Sequence, residues 1–414
     1  MTLHELPPHT IGKMDSPLKN IRVLDLSQFL SGPRCTQILA DLGAEVIKVE
    51  PPMGETMRLL TLLAPGMERL LSVFHRNKKG ITLNLKTEKG KEIFRRLTEK
   101  SDVLVENFSR GTMEEMGLGY ESLRALNPRL IYASISGFGR TGPLNFRPAF
   151  DIISQATSGI MDALRQPDKP PGVFFGDLVS GAFCAIGVFF ALMARERSGQ
   201  GQLVDISMQD VMYFHNYRSF SKKAVEPALD DIQRTFGRSL DMFTDEKNRM
   251  PFWNSYKTQD GYIAIVALTD SQWTRLADVI GRPELKDKEK FGNLVLRVRN
   301  APPALKIVEE WAARHTVGEI EETLDRADVP CGRVHDIDSA NRDRQLEARG
   351  MYEKVLHPSY GEIGVLGIPF RFSETTTHVS SPAPGLGQHT VEVLTSLLGM
   401  TEEEVKKLKD EEIL

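Results

Sequence analysis

Along the first half of the chain, short apolar runs of strand length alternate with stretches in which apolar positions recur every three or four residues. The pattern predicts a strand over Ile21–Leu26, a helix over Cys35–Leu42 entered through Pro33 and closed by Gly43, and a second strand over Ala44–Glu50. Strand, helix, strand within about thirty residues is the sign of a βαβ crossover, and so of a parallel sheet. The alternation continues with a strand at Gly80–Leu85, a helix at Glu88–Lys100, a strand at Asp102–Val105, a helix at Tyr120–Leu126 and a strand at Leu130–Ile135. A buried helix over Ala182–Ala194, a strand over Gly201–Met208 and a helix from Gln209 to Phe214 follow. The fold class is therefore α/β, an open parallel sheet wound on both faces. Such sheets bind ligands beyond the carboxyl ends of their strands, which here carry Ser27–Ser31, Glu50–Met53, Glu106–Phe108 and Ser136–Gly139.

From about Ser219 to Pro251 the periodicity is lost and charges scatter, which predicts a linker into a second unit. Within it, Tyr256–Leu268 reads as a hairpin turning at Gln259-Asp260-Gly261, followed by helices at Trp273–Ile280, Ala304–His315 and Val317–Ala327. The last stretch predicts strands at Tyr352–Leu356 and Val365–Phe372, then helices at Thr390–Leu398 and Thr401–Asp410, where Thr401 and Glu404 have capping-box spacing. The expected plan is a large domain begun by residues 1–218, a linker and small α+β domain over 219–335, and a segment 336–414 that returns to the large domain, being too short for a core of its own.

Composition narrows the function. The 414 residues are 41% hydrophobic and 26% charged with a net charge of −4, which fits a globular protein and gives no general reason to bind nucleic acid. Cys35, Cys184 and Cys331 are odd in number and lack metal-ligand spacing, so a reducing cytoplasm and no metal are expected. The N-terminus has no apolar signal core, and Ala182–Ala194 is too short to span a bilayer, so no membrane partner is expected.

Within the apolar run Pro171–Gly187, Asp177 is the one charge, bracketed by Gly176 and Gly181. One reading makes it a helix N-cap. The other makes it a nucleophile, kept ionised by the helix N–H groups and approachable because the glycines bare the backbone. Gly137–Gly142 spells G-x-G-x-x-G after a strand, but Pro143, Asn145 and Pro148 follow where a dinucleotide site needs a helix, so it reads as a loop. Basic residues gather at His75–Lys79, Lys86, Lys89 and Lys91, either as solvated surface or as a patch for a phosphorylated ligand. Phe108 and Phe138, at the ends of adjacent predicted strands, are core residues or the walls of a slot for a planar ring.

The ordered text of the chain resembles the class III coenzyme A transferases, the family of formyl-CoA, carnitine-CoA and benzylsuccinate CoA-transferases. The resemblance lies in DLSQFLSGPRCTQILADLGAEVIKVEPPMGE at 25–55, NKKGITLNLKTEKG at 77–90, DVLVENF at 102–108, LNPRLIYASISGFG at 126–139, GDLVSG at 176–181 and GQGQLVDISMQDV at 199–211. It implies that Asp177 is a catalytic carboxylate that passes through a mixed anhydride and an aspartyl-CoA thioester. Coenzyme A would then be held by Ser31, Leu83, Lys86, Asn107, Phe108, Phe138 and Met208, with Arg58 near a phosphate. The thioester is a substrate, and no tightly bound cofactor is implied.

The resemblance further implies a Rossmann-like large domain built from both chain ends, and two chains interlocked as a homodimer or as a heteromer with a related subunit. Succinyl-CoA is the implied donor, and an aromatic dicarboxylate such as benzylsuccinate a plausible acceptor. Pro51 and Glu115 stand where relatives carry basic residues, so phosphate contacts are expected to be rearranged. The small-domain glycine loop of formyl-CoA transferases is not visible, which points away from oxalate. Two alternatives stay open: an α-methylacyl-CoA racemase, disfavoured because Phe150 replaces the histidine of its His-Asp pair, and a catalytically silent partner subunit, disfavoured by the presence of Asp177.

Overall fold

The computed structural model describes residues 14–64, 66–228, 231, 234, 250–377 and 379–414. Most of the predicted linker lies outside these residues; a helix at Tyr217–Val225 occupies the linker's start. The chain forms two compact units, one of residues up to Asn216 with Arg344–Leu414, the other Tyr217–Asp343.

The first unit runs β1 (Arg22–Asp25), α1 (Ser31–Asp41), β2 (Glu45–Glu50), α2 (Thr56–Thr61), β3 (Lys78–Thr82), α3 (Glu88–Glu99), β4 (Val103–Glu106), α4 (Tyr120–Leu126), β5 (Ile131–Ser136), α5 (Asp151–Thr157), α6 (Phe175–Ser198), β6 (Leu203–Ser207) and α7 (Met208–His215). Its six strands lie in the order β3-β2-β1-β4-β5-β6, with every pairing parallel. Both faces are covered, so alternate residues serve opposite layers, and the strands also bury the charges of Asp25, Lys48, Glu50, Lys78 and Glu106. Leu24, Ile47, Ile81, Leu104 and Tyr132 pack on the α3 and α4 side with Phe94 and Leu123. Val23, Val46, Val103, Ile131 and Ala133 pack on the other side with Leu39 of α1 and Cys184 and Val188 of α6.

The second unit holds β7 (Trp253–Lys257) and β8 (Tyr262–Val266) as an antiparallel hairpin, α8 (Asp270–Ile280), α9 (Ala301–Ala312), α10 (Val317–Arg326) and β9 (Cys331–Arg333), an additional strand on β8 that periodicity did not reveal. The chain then returns to the first unit with β10 (Tyr352–His357), β11 (Gly361–Leu366), α11 (Thr390–Leu398) and α12 (Glu402–Asp410). β11 starts earlier than predicted because Gly361, at φ 66°, turns the chain straight back onto β10, while Pro369 cannot continue the ladder. Val393, Leu394, Val405 and Ile413 enter the core of the first unit, and the backbone N–H groups of His389 and Asn84 bond Gly80 and Ile413 across the join at 2.9 and 2.8 Å. Thr401 forms the capping box with Glu404 at the start of α12.

Two expectations about the central helix change. It extends from Phe175 to Ser198, 24 residues, and among the described residues it is the one helix long and apolar enough to cross a membrane. It is also not buried all round: Cys184, Val188 and Ala191 face the core, whereas Ile186, Phe189, Phe190 and Met193 form an exposed stripe.

Candidate active site

In this strand order β1 and β4 are neighbours whose connections leave toward opposite edges of the sheet, opening a crevice beyond their carboxyl ends. Asn107, just after β4, ties the two diverging loops together. Its Oδ1 accepts the Gln28 backbone N–H at 2.7 Å, and its Nδ2 donates to the Gln28 carbonyl at 2.8 Å and to the Ser31 hydroxyl at 3.0 Å.

Beneath the loop the support is ionic and buried. Asp25, at the end of β1, meets the Lys78 ammonium at 2.9 Å and accepts hydrogen bonds from Thr36 and Ser27. Burial opposes ionisation of Asp25, but Lys78, Lys48 and the two hydroxyls hold its carboxyl well below the usual range. Lys48 in turn donates to the Ser27 carbonyl. Held by these buried bonds, the network fixes the floor on which Gln28–Ser31 rests.

Over this floor lies a cavity of about 750 Å³. Its wall includes Phe29, Ser31, Asn107, Phe108, Phe150, Asp151, Phe174, Asp177 and Met208, with Arg110 and Arg147 as its cations. Phe29 and Phe150 meet edge to face with ring centroids 5.6 Å apart. The guanidinium of Arg147 lies over the Phe138 ring and that of Arg110 over Phe146.

Asp177 is half-buried in the first turn of α6. The capping position is Phe174, which contributes no side-chain bond, so the N-cap reading of Asp177 is set aside while the favourable dipole remains. Its backbone N–H donates to Asp151 Oδ1 at 3.1 Å, and Gln155 donates to Asp151 Oδ2 at 2.7 Å. Two carboxylates thus share one end of the cavity. Burial first, and the charge of Asp151 second, push the Asp177 carboxyl up to about 7, with the nearby Ser31 hydroxyl acting in the opposite direction. Gly176 makes the approach possible: a Cβ there would lie 2.2 Å from Ser154 Oγ and 3.0 Å from Asp151 Oδ1. Gly181 does the same one turn on, where a Cβ would lie 2.4 Å from the Ser31 carbonyl.

The cavity brings together five of the residues singled out from sequence, Asp177, Ser31, Asn107, Phe108 and Met208. Four stand outside its wall. Leu83 is a core residue just past β3, and Phe138 is buried under Arg147. Arg58 makes two bonds to Glu50, at 2.8 and 2.7 Å, and a third to the Pro384 carbonyl, so its charge is already matched. Lys86 is exposed in the turn after β3. Asp151 as a second carboxylate, Gln28, Arg110 and Arg147 were missed.

A six-stranded parallel sheet with a carboxylate on a helix N-terminus at its switch point defines the class, and the chain belongs to CoA-transferase family III, which matches residues 18–390. It is an enzyme of the CoA-transferase class. Over 404 residues, 96% of this chain and 98% of the relative, it is 37% identical to succinyl-CoA–D-citramalate CoA-transferase of Chloroflexus aurantiacus. It is 34% identical to formyl-CoA:oxalate CoA-transferase of Streptomyces avermitilis, over 97% of this chain and 100% of that one. Among solved structures it resembles a CAIB/BAIF family protein from Brucella suis, with a TM-score of 0.74 and 31% identity, over 93% of this chain and all of that one.

Proposed function

We propose that this chain moves coenzyme A from succinyl-CoA to a free dicarboxylic acid with an apolar or aromatic body, such as benzylsuccinate, with Asp177 as the nucleophile. The observation that carries the reading is the half-buried Asp177 carboxylate on a helix N-terminus, opening into an apolar cavity of about 750 Å³. The Asp177 carboxylate attacks the donor thioester carbonyl, the C–S bond breaks, and a mixed anhydride and CoA thiolate result. The thiolate attacks the aspartyl carbonyl, releasing the donor acid and leaving an aspartyl-CoA thioester. The acceptor carboxylate then displaces the thiolate to give a second anhydride. Attack of the thiolate on the acceptor's carbonyl completes the new thioester and returns Asp177. Carboxylates and a thiolate are exchanged throughout, so no proton needs to move, and the protein's task is to orient, to stabilise oxyanions and to exclude water.

In this reading Ser31, Asn107, Phe108 and Met208 border the coenzyme, and Arg110 and Arg147 are the cations available to its phosphates or to a second carboxylate. Leu83, Phe138, Arg58 and Lys86 act from outside the wall, Lys86 only on a part of the coenzyme that extends beyond it. The donor follows the citramalate relative. The rings of Phe29, Phe150 and Phe174 on the wall support an apolar acid body. The test is a transfer assay from succinyl-CoA to oxalate, D-citramalate and benzylsuccinate, with wild type and Asp177→Ala. Transfer to an apolar dicarboxylate that vanishes in the variant is expected; turnover by Asp177→Ala, or transfer to oxalate alone, overturns the corresponding half of the proposal.

A further inference from the structure

The loop after β1 holds a residue in a conformation that its side chain does not favour. Phe29 has φ 58°, in the left-handed region that glycine enters freely and a phenylalanine enters at a cost. Its neighbours pin the backbone on both sides. Gln28 is clamped by Asn107 at its N–H and at its carbonyl, and the Leu30 carbonyl already accepts the Arg34 N–H at 2.8 Å. The Phe29 N–H itself donates to Oε2 of the buried Glu55 at 3.4 Å, an oxygen that also accepts the Met57 N–H at 2.9 Å. A glycine would make this turn without strain, so what the strain maintains is the place of the ring. That ring meets Phe150 edge to face, with centroids 5.6 Å apart and planes at 88°. Phe150 stands directly before Asp151, whose Oδ1 accepts the Asp177 N–H. Both rings line the cavity that holds the two carboxylates, and Phe150 is exposed. The pair therefore joins the β1 loop to the start of α5 where the cavity meets solvent.

We propose that Phe29 and Phe150 form an aromatic gate that keeps water from the acyl group on Asp177, and that the strained Phe29 backbone aims one half of it. The inference rests on the reading of Asp177 as nucleophile, and it adds the residues that decide the fate of the intermediate. Two groups can attack the mixed anhydride. Coenzyme A thiolate keeps the acyl group activated. Water does not: its oxygen adds to an anhydride carbonyl, the bond from that carbon to the bridging oxygen breaks, and two carboxylates and two protons result, one proton going to the thiolate. The net leak is hydrolysis of succinyl-CoA to succinate, free coenzyme A and one proton. A water molecule passing between two rings gives up its hydrogen bonds and finds none in return, whereas an acid with an apolar body replaces the ring contact that it displaces.

The experiment measures hydrolysis of succinyl-CoA without an acceptor and transfer to isotopically labelled succinate, and takes the ratio of the two rates. Phe29→Gly suits the left-handed backbone and removes the ring, Phe150→Ala removes its partner, and Phe150→Tyr keeps a ring there. Phe29→Gly and Phe150→Ala should each raise the ratio of hydrolysis to transfer about tenfold, and the double variant no further than the larger single effect, because the rings act as one contact. Phe150→Tyr should stay within about twofold of wild type. Phe29→Gly should unfold at no lower urea concentration than Phe29→Ala, which keeps the strain, and should leak as much, so that the leak belongs to the ring and not to a loosened fold. An unchanged ratio in Phe29→Gly and Phe150→Ala overturns the gate, while hydroxylamine capture on Asp177 in the wild type leaves the nucleophile standing. A leak that persists when Asp177→Ala is combined with Phe29→Gly does not come from an acyl group on Asp177, and it overturns the nucleophile together with the gate.

Discussion

At the third position of α6, Asp177 is subject to opposed influences. The helix N-terminus and Ser31 favour its charge, while burial and Asp151 disfavour it, and the balance lies near pH 7. The consequence for stability has a definite sign. The folded state binds this proton more tightly than the unfolded chain, so the stabilisation is complete below the ordinary carboxylate range and is lost as pH rises through about 7. Asp177→Asn, neutral at every pH, should therefore gain on wild type by about 1–3 kcal/mol between pH 5 and pH 8. Urea denaturation at the two pH values checks this, and a stability difference that does not change with pH would refute it. Asp177 was legible in the sequence because it is the lone charge in an apolar run. Asp151 was not, because its significance is a distance to Asp177 across 26 residues, which no periodicity encodes.

At the scale of elements, glycines decide where helices touch. Gly176 brings the start of α6 against α5, and the Cβ of an alanine there would overlap Ser154 Oγ. Gly176→Ala should cost about 1–3 kcal/mol through overpacking and should lower kcat by displacing the Asp177 backbone N–H from Asp151. A variant with wild-type urea midpoint and kcat would show that the α5–α6 contact is dispensable. Of the parallel sheet, β1, β2, β4, β5 and β6, with α3 and α4, were readable within a residue or two because their periodicity is imposed by a sheet covered on both faces, whereas α1 begins four residues before the predicted Cys35 and β3 ends three before Leu85. The start of α6 was misread because Phe174, Phe175 and Gly176 carry neither a polar cap nor a helical pattern, and α5 was not foreseen because its four-residue approach from Arg147 is irregular. Arg58 shows the same limit: sequence shows a cation near a strand end, but not the Glu50 carboxylate that it meets.

For the whole molecule, strand order does what no local pattern can. Placing β1 beside β4 turns two loops about eighty residues apart into the two sides of one crevice, and Asn107 bonded to Gln28 is the seam. The exposed stripe of Ile186, Phe189, Phe190 and Met193, continued by Phe214 against Phe183, is a larger apolar face than scattered surface residues account for. We propose that a second, interlocked chain covers it. Light scattering on the purified protein should give twice the 46.4 kDa chain mass, and a monomeric mass at micromolar concentration would discard the dimer.

The proposed chemistry is covalent, with Asp177 carrying the acyl group and then coenzyme A. It is tested most directly by mixing the protein with succinyl-CoA, quenching with hydroxylamine and mapping the peptides by mass. A hydroxamate is expected on the peptide containing Asp177 and not in Asp177→Ala. An unmodified Asp177 in protein that is transferring coenzyme A would contradict it.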